Sequence, residues 1–173
     1  GVISTLVNMG KGALAAGLIA QLDLGDLPAW SSEWPSLIPL LAGVFAMIGH
    51  MYPIFAGFKG GKGVNTAAGV LLAVSPYNLL AVLVVFLLLL KVTRYVSVAS
   101  LVASVLFPTL VAIRLFVFDD PAMDVLLLAV STIMASGIVY AHRTNIRRLR
   151  TGEEAKIKSF RPGKGLRAEG EPD

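Results

Sequence analysis

Long runs of Leu, Val, Ala and Ile divide this chain, and short polar stretches punctuate them. The first run covers roughly 2–22 and is interrupted only by Asn8 and Lys11. A second, 35–58, carries no formal charge, and neither does the stretch 63–90. A third block, 96–118, holds only Arg114 near its end, and the last apolar run is 125–141. A bilayer core asks for about 20 apolar residues per helix, so runs of this length predict membrane-spanning helices. The 63–90 stretch is too long for one helix. The turn signal SPYN at 75–78 splits it into two legs of about a dozen residues each, which borrow length from their flanks.

Charge sets the orientation of these helices. Before the tail there are six acids, Asp23, Asp26, Glu33, Asp119, Asp120 and Asp124, all in two loops. Lys59, Lys62, Lys91 and Arg94 lie in the other connections, and Lys11 interrupts the first run. Arg114 is placed to snorkel from the end of its span. Lys and Arg mark cytoplasmic connections, so the 59–62 elbow, the 91–94 turn and the tail share the inner face. The acidic loop bearing Trp30 and Trp34 lies at the outer face. The reading is all-α: a polytopic helix bundle of six spans with both ends inside, a membrane domain over 1–141 and a basic cytoplasmic segment over 142–173. The first residues lack the basic start and small-residue cleavage site of a signal peptide. A chain opening on Gly1 reads as N-terminally shortened.

Composition agrees and excludes some chemistry. The chain is 55% hydrophobic and 15% charged, against about 25% charged in soluble domains. There are no cysteines, so disulfides, thiolate nucleophiles and thiolate-held zinc are ruled out. No metal, cofactor or nucleic-acid partner is expected. Membrane lipid is, and a monomer suits the composition.

Three polar clusters interrupt the apolar text. GHMYPIFAGFKGGKGV at 49–64 crowds glycines and two lysines after an apolar run. Glycine-rich turns aim backbone amides at one point, and lysine adds charge there, which suits phosphate. A flexible loop with two inner-face lysines accounts for the composition equally well. The nucleotide P-loop pattern fails, because Ala56 stands where its first glycine belongs and Gly63 follows Lys62. In KVTRYVSVAS, Arg94, Ser97 and Ser100 fall three apart on one side of a helix entrance. In HRTNIRRLRTGEE, His142, Asn145 and Leu149 share a side, with Arg148 beside them. His50 and His142 both sit at inner ends of spans, as interfacial residues or as acid–base groups. No carboxylate precedes Glu153 on the inner face, so a carboxylate–histidine dyad has no residues to use. The H-x-x-x-x-D pattern of thioester acyltransferases is absent at both histidines. What remains is an anion binder suited to a substrate that arrives activated and carries its own phosphate.

G-H-x-x-P-x-F-x-x-F-K-G-G-K-G-V from Gly49 to Val64 resembles the central motif of the bacterial acyl-phosphate:glycerol-3-phosphate acyltransferases. T-R-Y-x-S-x-x-S at Thr93 to Ser100 is similar to that family's next stretch. H-R-x-N-I-x-R-L-x-x-G-x-E at His142 to Glu154 resembles its C-terminal motif. The resemblance implies a small membrane enzyme of the bacterial inner membrane, active at its cytoplasmic leaflet. It would pass a fatty acyl group from acyl phosphate to the sn-1 hydroxyl of glycerol 3-phosphate. Lys62, Ser100, His142 and Asn145 are then the implied catalytic set. Lys59, Gly60, Gly61, Gly63 and Thr66 join Lys62 around the donor phosphate, where Ser100 helps. Arg94, Ser97, His50, Arg143, Arg148 and Lys11 complete the implied substrate contacts, and Asn145 with its neighbours faces glycerol 3-phosphate. The family's glycine- and asparagine-rich first motif and its span are not in this sequence, and Asn8 stands where the family's D-x-x-K-G stretch has Asp.

Two other classes give different expectations. A small transporter or channel for an anionic solute would distribute polar residues through the spans, whereas here they gather at one face. A non-enzymatic scaffold working through its basic tail would make the elbow dispensable.

Overall fold

The computed structural model describes residues 2–19, 21 and 36–157. The Trp-bearing acidic loop and the tail beyond Ile157 lie outside them. Among the described residues the chain is helical throughout: α1 (Val2–Ile19), α2 (Leu37–Met51), a single 3-10 turn (Ile54–Ala56), α3 (Val64–Val74), α4 (Pro76–Thr93), α5 (Val96–Phe116), α6 (Val125–Ala141) and α7 (Arg143–Thr151).

Helices α1–α6 follow the predicted runs in order. The stretches Leu37–Ala56, Pro76–Thr93 and Val96–Phe116 are each long and apolar enough to cross a membrane, and α6 joins them when continued into α7 across a 52° bend. The break at Ser75 falls where SPYN predicts, with Pro76 opening α4. Proline has no N–H to lose at a first helical position and fixes φ for the helix. The two legs are unequal, however. The second has 18 residues and the first only 11, about 16 Å at 1.5 Å per residue. The extra length comes from KVT, which continues α4 until Arg94 turns left-handed at φ 62°.

The bundle packs α1 against α2 and α3, α4 against α5, and α5 against α6. Leu40, Val70, Val111, Leu127 and Met134 lie fully buried at its centre. Phe45, Leu87, Val105 and Ile133 face outward. Lipid is as apolar as the core, so a helix here gains nothing from having one polar side. Association instead uses close backbone approach. A Cβ on Gly12 of α1 would overlap the Thr66 carbonyl of α3, and one on Gly69 of α3 would overlap the Met9 carbonyl of α1. This contact fixes the register of α1 on α3.

At one end of the bundle Arg114 is held by two partners. Its Nε donates to Asp120 at 2.9 Å and Nη1 to Asn78 Oδ1 at 2.7 Å. A guanidinium fork suits two acceptors held at fixed angles. Asp124 caps α6 through the Leu127 amide and accepts from Ser36 at 2.7 Å.

Candidate active site

At the other end, a cleft of about 650 Å³ opens between the elbow, the starts of α1, α3 and α5, and the segment from His142 to Ala155. Three helix N-termini line it, through Val64 and Asn65 of α3, Val96 and Ser97 of α5, and His142 and Asn145 at α7. None of the three has a side-chain cap. Uncapped first-turn amides and the positive ends of helix dipoles favour anions. The apolar runs predict where these helices start, but their convergence on one cleft is tertiary.

The elbow is built by backbone conformation. Gly57 and Gly63 are left-handed at φ 59° and 82°, and Phe58 shares that region at 60°. The Gly60 amide donates to the Met51 carbonyl and the Gly61 amide to that of His50, each at 3.2 Å. These two amides are spent on the end of α2 and not turned into the cleft. What the pair supplies is proximity. A Cβ on Gly60 would overlap the His50 carbonyl, and one on Gly61 would overlap the His50 ring. The elbow therefore lies flat on α2, and Lys59 and Lys62 line the cleft beside it. Burial strips water from the Lys62 ammonium and pulls its pKa below the usual lysine value, while nearby Glu154 works the other way.

His142 is 2% exposed and its Nδ1 lies 2.8 Å from the Ile138 carbonyl. A carbonyl only accepts, so Nδ1 carries the proton, and Nε2 of the neutral ring is left as an acceptor. Asn145 is buried and donates through Nδ2 to Glu154 at 2.6 Å. The same carboxylate accepts from Arg148 Nε at 2.7 Å, and its side chain is 7% exposed. Loss of water alone would raise the Glu154 pKa, but the bonds from Asn145, Ser97 and Arg148 hold it below the usual carboxylate value. Among the described residues, Asn145 Oδ1 and Thr66 Oγ1 are buried without a partner. Buried polar atoms left open are costly unless something binds them.

Of the implied residues, the structure gathers Lys59, Gly60, Gly61, Lys62 and Gly63 with His50, Ser97, Ser100, His142 and Asn145 around this cleft. Arg148 reaches it through Glu154. Thr66 is buried one turn into α3, behind the lining. Lys11 lies in an adjoining notch of about 420 Å³, with His50, Gly60 and Gly61 as the shared wall. Two arginines are not among the lining residues. Arg143 stacks 4.5 Å over the Tyr140 ring, and the Arg94 carbonyl accepts from Ile157 at 2.9 Å. That bond, with Lys156 over the Tyr95 ring, ties residues 152–157 across the cleft mouth. Glu154, Asn8 and Asn65 also line the site and were not among the implied residues. The signals for them were slight: a final Glu in the third motif, and single asparagines in apolar surroundings.

A multi-pass helical bundle with a cationic, uncapped cleft at one end defines an integral membrane protein built to hold anions. The family model described as "Glycerol-3-phosphate acyltransferase" matches residues 1–152. A glycerol-3-phosphate acyltransferase of Salinibacter ruber is 47% identical over 176 residues, covering 99% of this chain and 76% of the relative. One from Chlorobaculum tepidum is 40% identical, covering 91% and 75%. A crystal structure of PlsY (YgiH), an integral membrane glycerol 3-phosphate acyltransferase, in its lysophosphatidic acid form superposes with a TM-score of 0.73 at 34% identity, over 90% of this chain and 71% of that one. The glycerol 3-phosphate form gives 0.55 at 28% identity, over 90% and 94%. The chain belongs to the glycerol-3-phosphate acyltransferase family.

Proposed function

We propose that the chain transfers a fatty acyl group from acyl phosphate to the sn-1 hydroxyl of glycerol 3-phosphate, releasing lysophosphatidic acid and inorganic phosphate. The observation that carries this reading is a single cleft that holds Lys62, Ser100, His142 and Asn145 where three uncapped helix N-termini meet. Both substrates bring a phosphate, and the cleft provides positive charge for two. The relatives' names and the PlsY structures bearing glycerol 3-phosphate and lysophosphatidic acid support the acceptor and product. The positive-inside pattern of the connections supports a cleft at the cytoplasmic face of a bacterial inner membrane.

Acyl phosphate is a mixed anhydride with a good leaving group, so the chain needs no covalent nucleophile. The acceptor oxygen attacks the acyl carbon, the bond from that carbon to the phosphate oxygen breaks, and the departing phosphate takes the hydroxyl proton. Catalysis then rests on orientation and on charge held in place before reaction. Lys62 and the amides of α3 take the donor phosphate, with Ser100 beside it. Asn145 Oδ1, free of internal partners, accepts from the acceptor hydroxyls. Phosphate release by the protein in lipid vesicles should require both acyl phosphate and glycerol 3-phosphate, and Lys62→Met should abolish it. Release independent of glycerol 3-phosphate would sink the reaction. An acyl adduct trapped on Ser100 would sink direct transfer.

A further inference from the structure

The apolar side of α2 does not stop where the helix does. Leu41, Phe45, Ile48 and Tyr52 are all exposed, and their helical spacing puts them in one outward stripe. The turn after α2 carries the stripe on, with Ile54 73% exposed, Phe58 62% and Phe55 wholly so. Helix α2 has 15 residues, about 22 Å at 1.5 Å per residue, against about 30 Å for a hydrocarbon core. The apolar segment long enough to cross runs through the turn, as Leu37–Ala56. From Tyr52 to Phe58 the chain holds no charged residue, and Lys59 follows at once.

A non-helical segment enters lipid only if its backbone polar groups are bonded internally. Pro53 has no N–H to satisfy, and its carbonyl accepts from the Ala56 amide at 3.2 Å and the Phe58 amide at 2.9 Å. The Gly57 amide donates to the Ile54 carbonyl and the Lys59 amide to that of Ala56, each at 3.2 Å. With Gly60 and Gly61 bonded to the end of α2, every amide from Ala56 to Gly61 has a backbone acceptor. Phe58 holds its place left-handed at φ 60°, which costs a bulky side chain energy that glycine would be spared. A loop in water needs neither closed amides nor three outward apolar side chains.

We propose that the Pro53–Phe58 turn is a foot sunk in the leaflet at the cleft end, with Ile54, Phe55 and Phe58 at the boundary between acyl chains and headgroups. Its partner is the bilayer itself. Lys59 and Lys62 follow in the chain and line the cleft, so the foot holds these cations at the level of a lipid-borne phosphate. That consequence rests on the reaction proposed above, whereas the insertion does not.

The chain has no native cysteine, so exposed Ala56 is replaced by cysteine and labelled with bimane, leaving all three apolar side chains in place. The full chain is reconstituted in phosphatidylcholine vesicles brominated either near the headgroup or at mid-chain. Bromine near the headgroup should quench the dye about twofold, as for a segment lying at the acyl boundary. Mid-chain bromine should quench it less, and aqueous iodide hardly at all. Phe45→Cys, further along the stripe, should reverse the order of the two lipids. Quenching at 56 by iodide alone, or shielding from every quencher by a protein partner or second copy, would overturn the foot. Adding Phe55→Ser and Phe58→Ser should open the dye to iodide, whereas Phe55→Trp, which keeps an interfacial aromatic, should not. Lipid quenching unchanged by the two serines would deny the phenylalanines their part. Turnover provides the second arm. The double serine variant should raise KM for hexadecanoyl phosphate in vesicles about tenfold, the cost of drawing roughly two methylenes out of the leaflet. Its kcat, and its KM for water-soluble butanoyl phosphate, should hold. Equal losses with both donors would overturn the role in donor access. Lipid quenching at 56 without acyl transfer from either donor would uphold the foot and count against the reaction alone.

Discussion

The two ends of this bundle treat polar groups in opposite ways. At the Arg114 end, Arg114, Asp120, Asn78, Asp124 and Ser36 satisfy one another across α2, α4, α5 and α6, and Asp124 caps α6. Helices begin without a side-chain cap at both ends, α2 and α4 there and α3, α5 and α7 at the cleft. What differs is that at the cleft end buried Asn145 and Thr66 keep an oxygen open. Closed polar networks hold helices together, whereas open ones wait for a ligand.

Changes at the cleft end should act on turnover, and the largest loss is expected at Lys62. Lys62→Met should lower kcat/KM about 100- to 1,000-fold, the scale on which losing one preorganised charge contact is felt. Thermal stability should hold, because Lys62 is exposed and exposed charges contribute little to stability. A clear fall in melting temperature in step with activity would instead make Lys62 part of the framework.

Next in size is Gly61→Ala. Its Cβ overlaps the His50 ring, so the ring must swing aside or the elbow lift from α2, and either move disturbs the cleft wall beside Lys62. A fall of about tenfold in kcat/KM is expected, since small misplacements at a site cost this much or more. The double change with His50→Ala should recover part of the loss by making room, and no recovery would disprove the packing account.

The Arg114 end should show the converse. Asn78→Ala leaves an Arg114 donor without its acceptor, at a cost of about 1–3 kcal/mol. A drop in melting temperature is expected with kcat/KM within about twofold. A tenfold fall in kcat/KM at temperatures where the protein is folded would erase the distinction between the ends.

The smallest effect concerns pH. Glu154 is held below its ordinary pKa in the folded chain, so the folded state favours the carboxylate. Its stabilising contribution is present above the unfolded value and lost as pH falls through the lower folded value. Glu154→Gln should flatten that acid limb of the stability curve, measured by melting temperature against pH. Lys62 gives a matching sign for activity. Its lowered pKa places loss of the ammonium, and of donor binding, at lower pH than for an ordinary lysine as pH rises. Lys62→Arg should move that alkaline limb upward.

Much of this was legible in the chain. The apolar runs give six of the seven helices in order, because lipid contact requires long uncharged segments whatever their neighbours are. SPYN gives the break at Ser75, where Pro76 opens α4, whereas Pro108 lies inside α5 without breaking it. Lys59, Lys62, Ser100, His142 and Asn145 stand out because polar residues in an oily chain need a reason. Arg143 and Arg94 stood out equally but are not among the lining residues of the cleft. A residue's type says that it can meet a phosphate, and only packing says which way it points.

What the sequence determined by itself is thus the helical architecture and the gathering of its polar residues into a few clusters, both of which follow from local composition. The tertiary structure decided which groups stay free. It took up the Gly60 and Gly61 amides on α2 and brought Glu154 over Asn145. Each depends on contacts between segments far apart in the chain, and no local pattern encodes which distant carbonyl or side chain a group will meet.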